Sequence, residues 1–357
     1  MHRQTDAHGQ NLWLFGRALP ALPSEPVQRE ETDWQQARIP HIRRALERAR
    51  ALPSRGWYVL AATDSLNEQP RFFYVDGHEI TAWKGKAGIN AAVNRCPHMG
   101  APLSEGSVRH GVLVCPWHGM EIEKGRHGRF IESLDDGVLT WVRLHAEEDS
   151  GAEGHPEAKG NTSAIDQTGP PVLPTRPERF IAGVIQFAVR CDPEDIIANR
   201  LDPWHGVHFH PHSFARLKVI GNTEGVLTVR VAFRAVGALG VEVDCTFHCP
   251  EPNTIVMTII EGEGKGSVVE THATPIGPGW TTVTEATLAT SQRRVFRRAM
   301  RHPGRVRAQI EKRARGLWAE DRAYAERRYF LRHPELLPQT AGRSPAAPVG
   351  KPRPIEP

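Results

Sequence analysis

The chain has 357 residues, 39% of them hydrophobic and 24% charged, with a formal net charge of +4. This composition is typical of a globular protein with one large domain or two ordinary ones. No run of about 18 apolar residues is present, which excludes a membrane-spanning helix. The five cysteines are too few for a disulfide scaffold and the first residues make a poor secretory signal, so we expect a cytoplasmic protein.

Changes in composition divide the chain into five predicted segments. A helical pattern, HIRRALERARAL, stands near the end of an N-terminal extension. Short strands and turns such as Asp76-Gly77 follow, then a stretch rich in Gly, Pro, Ser and Thr, and then a second series of strands. The segments are the extension (1–54), a β domain (55–147), a flexible linker (148–177), a second domain (178–337) and a Pro-rich tail (338–357).

The second domain ends in a long predicted helix, from about Ser291 to Arg332. Turn signals in it occur around Pro303-Gly304, and its apolar residues recur at helical spacing. Strands followed by this helix predict an α+β fold, in which a curved antiparallel sheet is closed by the long C-terminal helix. The apolar positions that define the helix are Val306, Ile310, Leu317 and Tyr324.

The same C-terminal region carries most of the excess positive charge. Residues 293–332 hold 14 Lys+Arg against 4 Asp+Glu, whereas the rest of the chain is mildly acidic. This excess predicts either a solvated helix face or a docking surface for an acidic partner protein. The sequence leaves both interpretations open.

Two short motifs place a cysteine close to a histidine. Cys96-x-His98 and Cys115-x-x-His118 are separated by 16 residues, and each pair stands beside proline and glycine in a predicted turn. Two thiolates and two imidazoles suit a structural zinc ion. They also suit a two-iron cluster with cysteine sulfur on one iron and histidine nitrogen on the other. Two similar loops approaching one another from a β scaffold favour the iron cluster.

The segment from about Trp57 to Leu144 resembles Rieske domains, most closely in NRCPHMGAPLSEGSV and LVCPWHGMEI. The resemblance implies a Rieske-type [2Fe-2S] cluster that transfers electrons, at a potential raised by its histidine ligands. The implied ligands are Cys96, His98, Cys115 and His118.

Four histidines occur within eight positions of the second domain, in ANRLDPWHGVHFHPHSF. Non-haem Fe(II) sites that activate oxygen commonly use two histidines and one carboxylate. A histidine-rich surface that scavenges metals, or a zinc site with a hydrolytic or structural use, would have a similar pattern. The four residues are His205, His208, His210 and His212.

Asn199, Asp202, His205 and His210 match an Asn-x-x-Asp-x-x-His-x4-His signature, and this region therefore resembles Rieske non-haem iron oxygenases. The resemblance implies a helix-grip (START/SRPBCC-like) catalytic domain behind the Rieske domain. It also implies a mononuclear Fe(II) held by His205 and His210, with Asn199 and Asp202 as members of the catalytic site.

The resemblance further implies an acidic third ligand on the long C-terminal helix. GLWAEDRAYAERRYF is similar to that region of the family, and Asp321 lies 111 positions past His210. Asp321 is favoured over Glu320 because the family pattern has an aromatic residue three positions on, here Tyr324. The alternative is a solvent-facing acid paired with an arginine one turn along the helix.

Asp202 has a role of its own in the family. There, this aspartate links the mononuclear site to a cluster histidine of the neighbouring subunit by hydrogen bonds, and so forms the electron route. A head-to-tail ring, commonly a trimer, brings the two centres of neighbouring subunits together. The alternative is that Asp202 caps a helix that begins at Pro203.

As a whole, the resemblance implies the terminal oxygenase component of a multicomponent system, similar to ketosteroid-hydroxylase-like members. Such a monooxygenase or dioxygenase uses O2 to hydroxylate, desaturate or demethylate a small hydrophobic molecule, here one with a ring or a terpenoid- or steroid-like skeleton. Nucleotide- and flavin-binding fingerprints are absent from the sequence, so NAD(P)H electrons should arrive through a ferredoxin or a flavin-dependent reductase. Nucleic acid and membranes are not expected partners. The alternative is a Rieske electron-transfer or ligand-binding protein without oxygenase activity.

Overall fold

The computed structural model describes residues 13–14, 17–18, 36–144 and 169–336, apart from 224, 237 and 238. Most of the predicted N-terminal extension, the first part of the predicted linker and the Pro-rich tail therefore lie outside the described residues. In the described part of the chain, none of the helices is both long and apolar enough to cross a membrane.

The described elements follow the predicted order of a β domain and then a sheet with a long helix. The helices are α1 (Ile39–Arg50), α2 (Pro193–Arg200), α3 (His205–Phe209), α4 (Arg294–Ala299) and α5 (Gly304–Arg332), and short 3-10 turns occur at Thr63–Ser65, Leu103–Glu105 and Pro334–Leu336. The strands up to the second domain are β1 (Trp13–Leu14), β2 (Arg17–Ala18), β3 (Trp57–Ala62), β4 (Arg71–Val75), β5 (His78–Gly85), β6 (Gly88–Val93), β7 (Ser107–Arg109), β8 (Val112–Val114), β9 (Glu121–Ile122), β10 (Phe130–Asp135) and β11 (Leu139–Arg143). Those of the second domain are β12 (Ile181–Val189), β13 (Phe214–Thr223), β14 (Val226–Val236), β15 (Leu239–Glu251), β16 (Thr254–Gly262), β17 (Val268–Gly277) and β18 (Trp280–Ala289).

The first domain combines a six-stranded antiparallel sheet, in the order β3-β11-β10-β6-β5-β4, with a small sheet of β7, β8 and β9. The predicted Asp76-Gly77 turn joins β4 to β5. Both residues have positive φ angles, 47° and 84°, as a two-residue hairpin whose turn matches the strand twist requires. The small sheet carries the two loops of the Cys/His motifs, and Trp83, Leu103 and Leu113 are buried beneath them.

The second domain is a seven-stranded antiparallel sheet in the order β12-β18-β17-β16-β15-β14-β13, and α5 packs on β12 at one end of it. The core between the helix and the sheet includes Ile185 and Val283 of the strands and Trp318 and Ala325 of α5. This arrangement confirms the predicted α+β fold, with a curved sheet and a long C-terminal helix.

The residues that α5 buries most deeply are not the ones that define its apolar periodicity. Val306, Ile310, Leu317 and Tyr324 are only partly buried. The residues that α5 buries are Ala314, Trp318, Asp321, Ala325 and Tyr329. The apolar periodicity predicted the helix, and the structure confirms it. A pattern of large apolar residues passes over the small alanines of the buried face and over a buried aspartate.

Helix α1 of the predicted extension packs on the second domain. Its buried residues are Ile42, Leu46 and Ala49, the apolar positions of the predicted helix. They belong to one hydrophobic cluster with Ile197 of α2 and Trp204, so α1 supports the segment that precedes α3.

Strands β13 to β16 separate apolar from polar side chains, as period-two alternation requires. Their polar face carries the ion pair of Arg230 with Asp244, at 2.7 Å. The other face is a continuous apolar surface, called here the apolar sheet face. It contains Phe214, Leu217, Val219, Leu227, Val229, Val231, Phe233, Val241, Val243, Cys245, Phe247, Met257 and Ile259.

A buried ion network joins the two domains. Arg176 contacts Asp136 of the first domain at 3.0 Å and Glu270 of the second at 2.6 Å. The side chains of Asp136 and Glu270 are 3% and 0% exposed. Burial opposes their ionisation. The Arg176 guanidinium nevertheless holds the pKa of Asp136 below the usual range, and the hydrogen bonds of His272 and Arg176 do the same for Glu270. The positive charge of Arg176 therefore compensates two buried negative charges at the domain boundary.

Arg176→Ala should lower the free energy of unfolding by about 3–5 kcal/mol, because it leaves two buried carboxylates uncompensated. Urea denaturation followed by tryptophan fluorescence measures this change. Arg230→Ala is the matched control, since it removes a bidentate pair that is exposed and screened by water. Equal effects of the two substitutions would show that the interdomain network does not stabilise the fold.

Candidate metal centres

The two Cys/His loops have the same construction. In the first loop the Cys96 carbonyl accepts a hydrogen bond from the Gly100 amide at 2.9 Å. In the second, the Cys115 carbonyl accepts one from the Gly119 amide at 3.2 Å. Both glycines have left-handed φ angles, 78° and 70°, which a side chain would strain. The repeated turn places two equivalent ligand pairs at one end of the first domain.

The four predicted cluster ligands are brought together by these turns. Cys96 and Cys115 are 2% and 3% exposed, whereas His98 and His118 are exposed, with ring centroids 4.9 Å apart. Burial raises the pKa of Cys96. For Cys115, burial acts in the same direction, but the backbone amides of Trp117 and His118 hold its pKa below the usual value. Two inner sulfurs and two outer imidazoles fit the mixed ligation of a Rieske cluster.

The second candidate centre lies between α3, the residue that follows α3, and α5. His205 begins α3, His210 directly follows it, and Asp321 lies on the buried face of α5. Asp321 Oδ1 is 2.9 Å from His210 Nε2 and 3.2 Å from His205 Nε2. The possible ligand atoms of the three residues all lie within 4.8 Å of one another. Two imidazoles and one carboxylate in this arrangement fit a mononuclear non-haem iron.

Asn199 of α2 completes the surroundings of Asp321. Its amide donates a hydrogen bond to Asp321 Oδ1 at 3.0 Å, within the buried interior. Burial alone would raise the pKa of Asp321. The hydrogen bonds of His205 and His210, together with the positive charge of Arg200, instead hold that pKa well below its usual range. Asp321 is therefore a carboxylate in spite of its burial, as a ligand to a cation must be.

Asp202 lies beside the triad without contacting Asp321. Its Oδ2 accepts a hydrogen bond from the Tyr324 hydroxyl at 3.1 Å and is 3.9 Å from His205 Nδ1. Burial raises the pKa of Asp202. Asp202 Oδ1 and His205 Nδ1 are buried and have no hydrogen-bond partner among the described residues.

The alternative role of Asp202 as a cap stays open and is compatible with its bridging role. Burial raises the pKa of Asp202, and the backbone amides of His205 and Trp204 oppose that rise. Helix α3 begins at His205 and its N-cap residue is Trp204, with no side-chain cap. Pro203 instead starts a turn, because its carbonyl accepts a hydrogen bond from the Gly206 amide at 3.0 Å. The carboxylate of Asp202 therefore lies between Tyr324 and the start of α3.

Sequence reasoning missed how Glu320 is used. Its Oε2 lies 2.5 Å from His210 Nδ1, on the side of the imidazole away from Asp321, and its Oε1 lies 3.7 Å from His212 Nδ1. Burial opposes protonation of His210, but the hydrogen bonds and charges of Asp321 and Glu320 raise its pKa. The only signal for this contact in the sequence is the adjacency of Glu320 to Asp321.

A second missed group lies behind the triad. Arg200 donates to Glu285 at 2.5 Å, and the Trp318 indole donates to the same carboxylate at 2.7 Å. The Arg200 guanidinium also lies over the Trp318 ring, 5.1 Å from its centroid. These contacts connect α2, β18 and α5, and they place a fixed positive charge near Asp321. The three residues are far apart in the sequence and belong to no local motif.

Comparisons with known proteins find a family match in each half of the chain. Residues 56–135 match the Rieske [2Fe-2S] domain, and residues 162–335 match a domain of unknown function (DUF5914). The vanillate O-demethylase oxygenase subunit of Pseudomonas sp. (strain HR199 / DSM 7063) is 41% identical over 71 residues. That match covers 20% of this chain and 20% of the relative, so it spans about a fifth of the length of each protein.

Solved structures match over most of the chain. Dicamba monooxygenase bound to dicamba has a TM-score of 0.55 at 18% identity, with 79% of this chain and 90% of that chain covered. The terminal oxygenase of carbazole 1,9a-dioxygenase from Novosphingobium sp. KA1 has a TM-score of 0.52 at 13% identity, with 85% and 90% covered. At these identities the likeness shows a shared fold.

A Rieske domain and the fold of a terminal oxygenase thus occur in one chain. The chain is therefore similar to Rieske non-haem iron oxygenases, which its motifs also resemble. The cofactors of this class are a Rieske [2Fe-2S] cluster and a mononuclear iron, and the residues described above fit both.

Asp321→Ala should remove the mononuclear iron and leave the visible absorbance of the cluster unchanged, because only the second centre uses this carboxylate. Iron content per chain and the absorbance spectrum measure the two effects. Glu326→Ala is the control on the same helix, since within the described part of the chain Glu326 is hydrogen-bonded to Arg322 alone. An unchanged iron content in Asp321→Ala would show that another carboxylate is the ligand.

Proposed function

We propose that the chain is the terminal oxygenase component of a multicomponent Rieske system, an O2-dependent oxidoreductase. The observation that carries this proposal is the presence, in one fold, of the Cys/His loops and the buried triad of His205, His210 and Asp321. When bound, the cluster supplies single electrons and the mononuclear iron supplies the activation of dioxygen. In this proposal the three triad residues hold the iron, and Asn199 keeps Asp321 oriented by its hydrogen bond.

A hydrophobic substrate is supported by the surroundings of the triad. The Phe214 ring lies 6.0 Å from the ring of His210 and 5.4 Å from that of Phe233. Through these rings the triad adjoins the apolar sheet face, which offers few groups to a charged substrate. We propose a small hydrophobic molecule with a ring or a steroid- or terpenoid-like skeleton, which is hydroxylated, desaturated or demethylated. The vanillate O-demethylase relative makes an aryl methyl ether the first candidate to test.

We propose that copies of the chain form a head-to-tail ring, such as a trimer. Two observations support this: the exposed cluster histidines and an oxygen of Asp202 that is unpartnered in the described part of the chain. His98 and His118 are exposed at one end of the first domain, flanked by Met99 and Trp117, which are 63% and 56% exposed. At the triad, Asp202 has one carboxylate oxygen without a partner among the described residues. A cluster histidine of a second copy would donate to that oxygen, so that Asp202 would bridge the two centres.

Turnover tests the proposal directly. The holoprotein, supplied with NADH, a surrogate ferredoxin and its reductase, should consume O2 only when a substrate is present. A panel of aryl methyl ethers and steroids is incubated under ¹⁸O2, and the products are analysed by mass spectrometry. The label should appear in a hydroxylated product or, after demethylation, in the formaldehyde released from the hydroxylated methyl group. Reduction and reoxidation of the cluster without any product across the panel would favour an electron carrier.

Asp202→Asn should retain both metals but lower turnover by at least about tenfold, because an amide cannot accept hydrogen bonds from two histidines as a carboxylate does. Iron content and O2 uptake are measured on the same sample. Asp244→Asn, on the exposed polar face of β15, is the control. Unimpaired turnover of Asp202→Asn would rule out the bridging role.

The electron donor is proposed to be an acidic ferredoxin or a flavin-dependent reductase, and NAD(P)H would act only through it. Exposed arginines on α4, in the turn after it and at the start of α5 have no acidic partner within 4.0 Å among the residues that the structure describes. These are Arg294, Arg297, Arg298, Arg301 and Arg305. A cytoplasmic location, as expected from the sequence, is part of this proposal, since Cys191, Cys245 and Cys249 form no disulfide among the described residues.

The double substitution Arg297→Glu and Arg298→Glu should raise the ferredoxin KM and weaken the salt dependence of electron transfer, because it reverses charge at the proposed docking surface. Rates of cluster reduction over a range of ionic strength measure both effects. Arg216→Glu, on the polar face of β13, is the control. A rate that is insensitive to salt in the native protein would make this surface a solvated helix face.

A further inference from the structure

Glu320 occupies a distinct position beside the triad. It precedes Asp321 on α5, and the two side chains meet opposite nitrogens of the same imidazole. Asp321 Oδ1 is 2.9 Å from His210 Nε2, and Glu320 Oε2 is 2.5 Å from His210 Nδ1. Each ring nitrogen of His210 therefore contacts one of two consecutive residues of α5.

The geometry separates the role of Glu320 from that of a metal ligand. The two nitrogens of an imidazole point in nearly opposite directions, so an ion at His210 Nε2 lies away from a carboxylate at Nδ1. The side chain of Glu320 is 39% exposed, whereas that of Asp321 is 3% exposed and is shared by both histidines. Glu320 thus faces outward, toward His212, and Asp321 faces the site.

A histidine that binds a metal through one nitrogen usually donates its other N–H to a carboxylate, which fixes the tautomer and the ring orientation. The hydrogen bond to Glu320 would keep the proton of a neutral His210 on Nδ1 and leave Nε2 free for the metal. The other histidine has the same kind of neighbour at a longer distance, because Asp202 Oδ2 is 3.9 Å from His205 Nδ1. Each histidine of the triad therefore has a second carboxylate near its Nδ1 atom, in addition to Asp321 near its Nε2 atom.

We propose that Glu320 is a positioning residue, which orients His210 and fixes its tautomer so that Nε2 is presented to the mononuclear iron. The proposal rests on the proposed function, since it takes the triad to be the iron site. Asp202 would take part in electron transfer between subunits, whereas Glu320 would strengthen iron binding within one subunit. Its loss should weaken metal binding without removing a ligand.

The test is metal binding by protein that retains its cluster but has lost the mononuclear metal. Equilibrium dialysis with Co(II) measures the affinity, and the visible d–d bands of bound Co(II) report the ligand geometry. Glu320→Ala should weaken Co(II) binding about 10–100-fold and alter these bands. Glu320→Gln should have a smaller effect, because its amide oxygen can still accept the Nδ1–H hydrogen bond. The absorbance of the cluster shows whether each variant is folded.

Asp321→Ala and Glu326→Ala are the reference variants, for the loss of a ligand and for a neutral change on the same helix. Native affinity and spectrum in Glu320→Ala would overturn the proposal. A loss as complete as in Asp321→Ala, with no rescue by glutamine, would also overturn it and make Glu320 a ligand. If the native protein itself binds no Co(II) beside its cluster, the proposed function fails, and the role of Glu320 fails with it.

Discussion

The structure of the second domain depends on the convergence of three side-chain nitrogens on one buried carboxylate oxygen. Asn199, His205 and His210 approach Asp321 Oδ1 from α2, from α3 and from the end of α3. A buried carboxylate without such partners would cost several kcal/mol, so the packing of these helices and the ionisation of Asp321 stabilise one another. The same convergence brings two histidines and a carboxylate to one point, as an iron site requires.

Sequence motifs predicted the parts of the two centres that are local. The repeated Cys/His turns need a glycine at each left-handed position, and both Gly100 and Gly119 stand in the motif. The spacing of His205 and His210 likewise reflects one short helix. Asp321 was reached only through resemblance to a family, because neither its distance along the chain nor a hydrophobic pattern marks a buried aspartate.

Contacts between distant segments could not be predicted in the same way. The pairing of Glu320 with His210 depends on the rotation of α5 about its axis, and that rotation is set by Ala314, Trp318 and Ala325 packing on the sheet. The Arg176 network depends on how the two domains meet. Such contacts use ordinary charged residues in no fixed order, so the sequence carries no local pattern for them.

The central claim is that this one chain holds two iron centres of different kinds. Iron and acid-labile sulfide per chain, measured on anaerobically purified protein with EPR before and after dithionite, test it most directly. We expect about three irons and two sulfides, with a Rieske-type signal on reduction. About two irons with the same signal, unchanged after addition of Fe(II), would contradict the mononuclear centre and leave an electron-transfer protein.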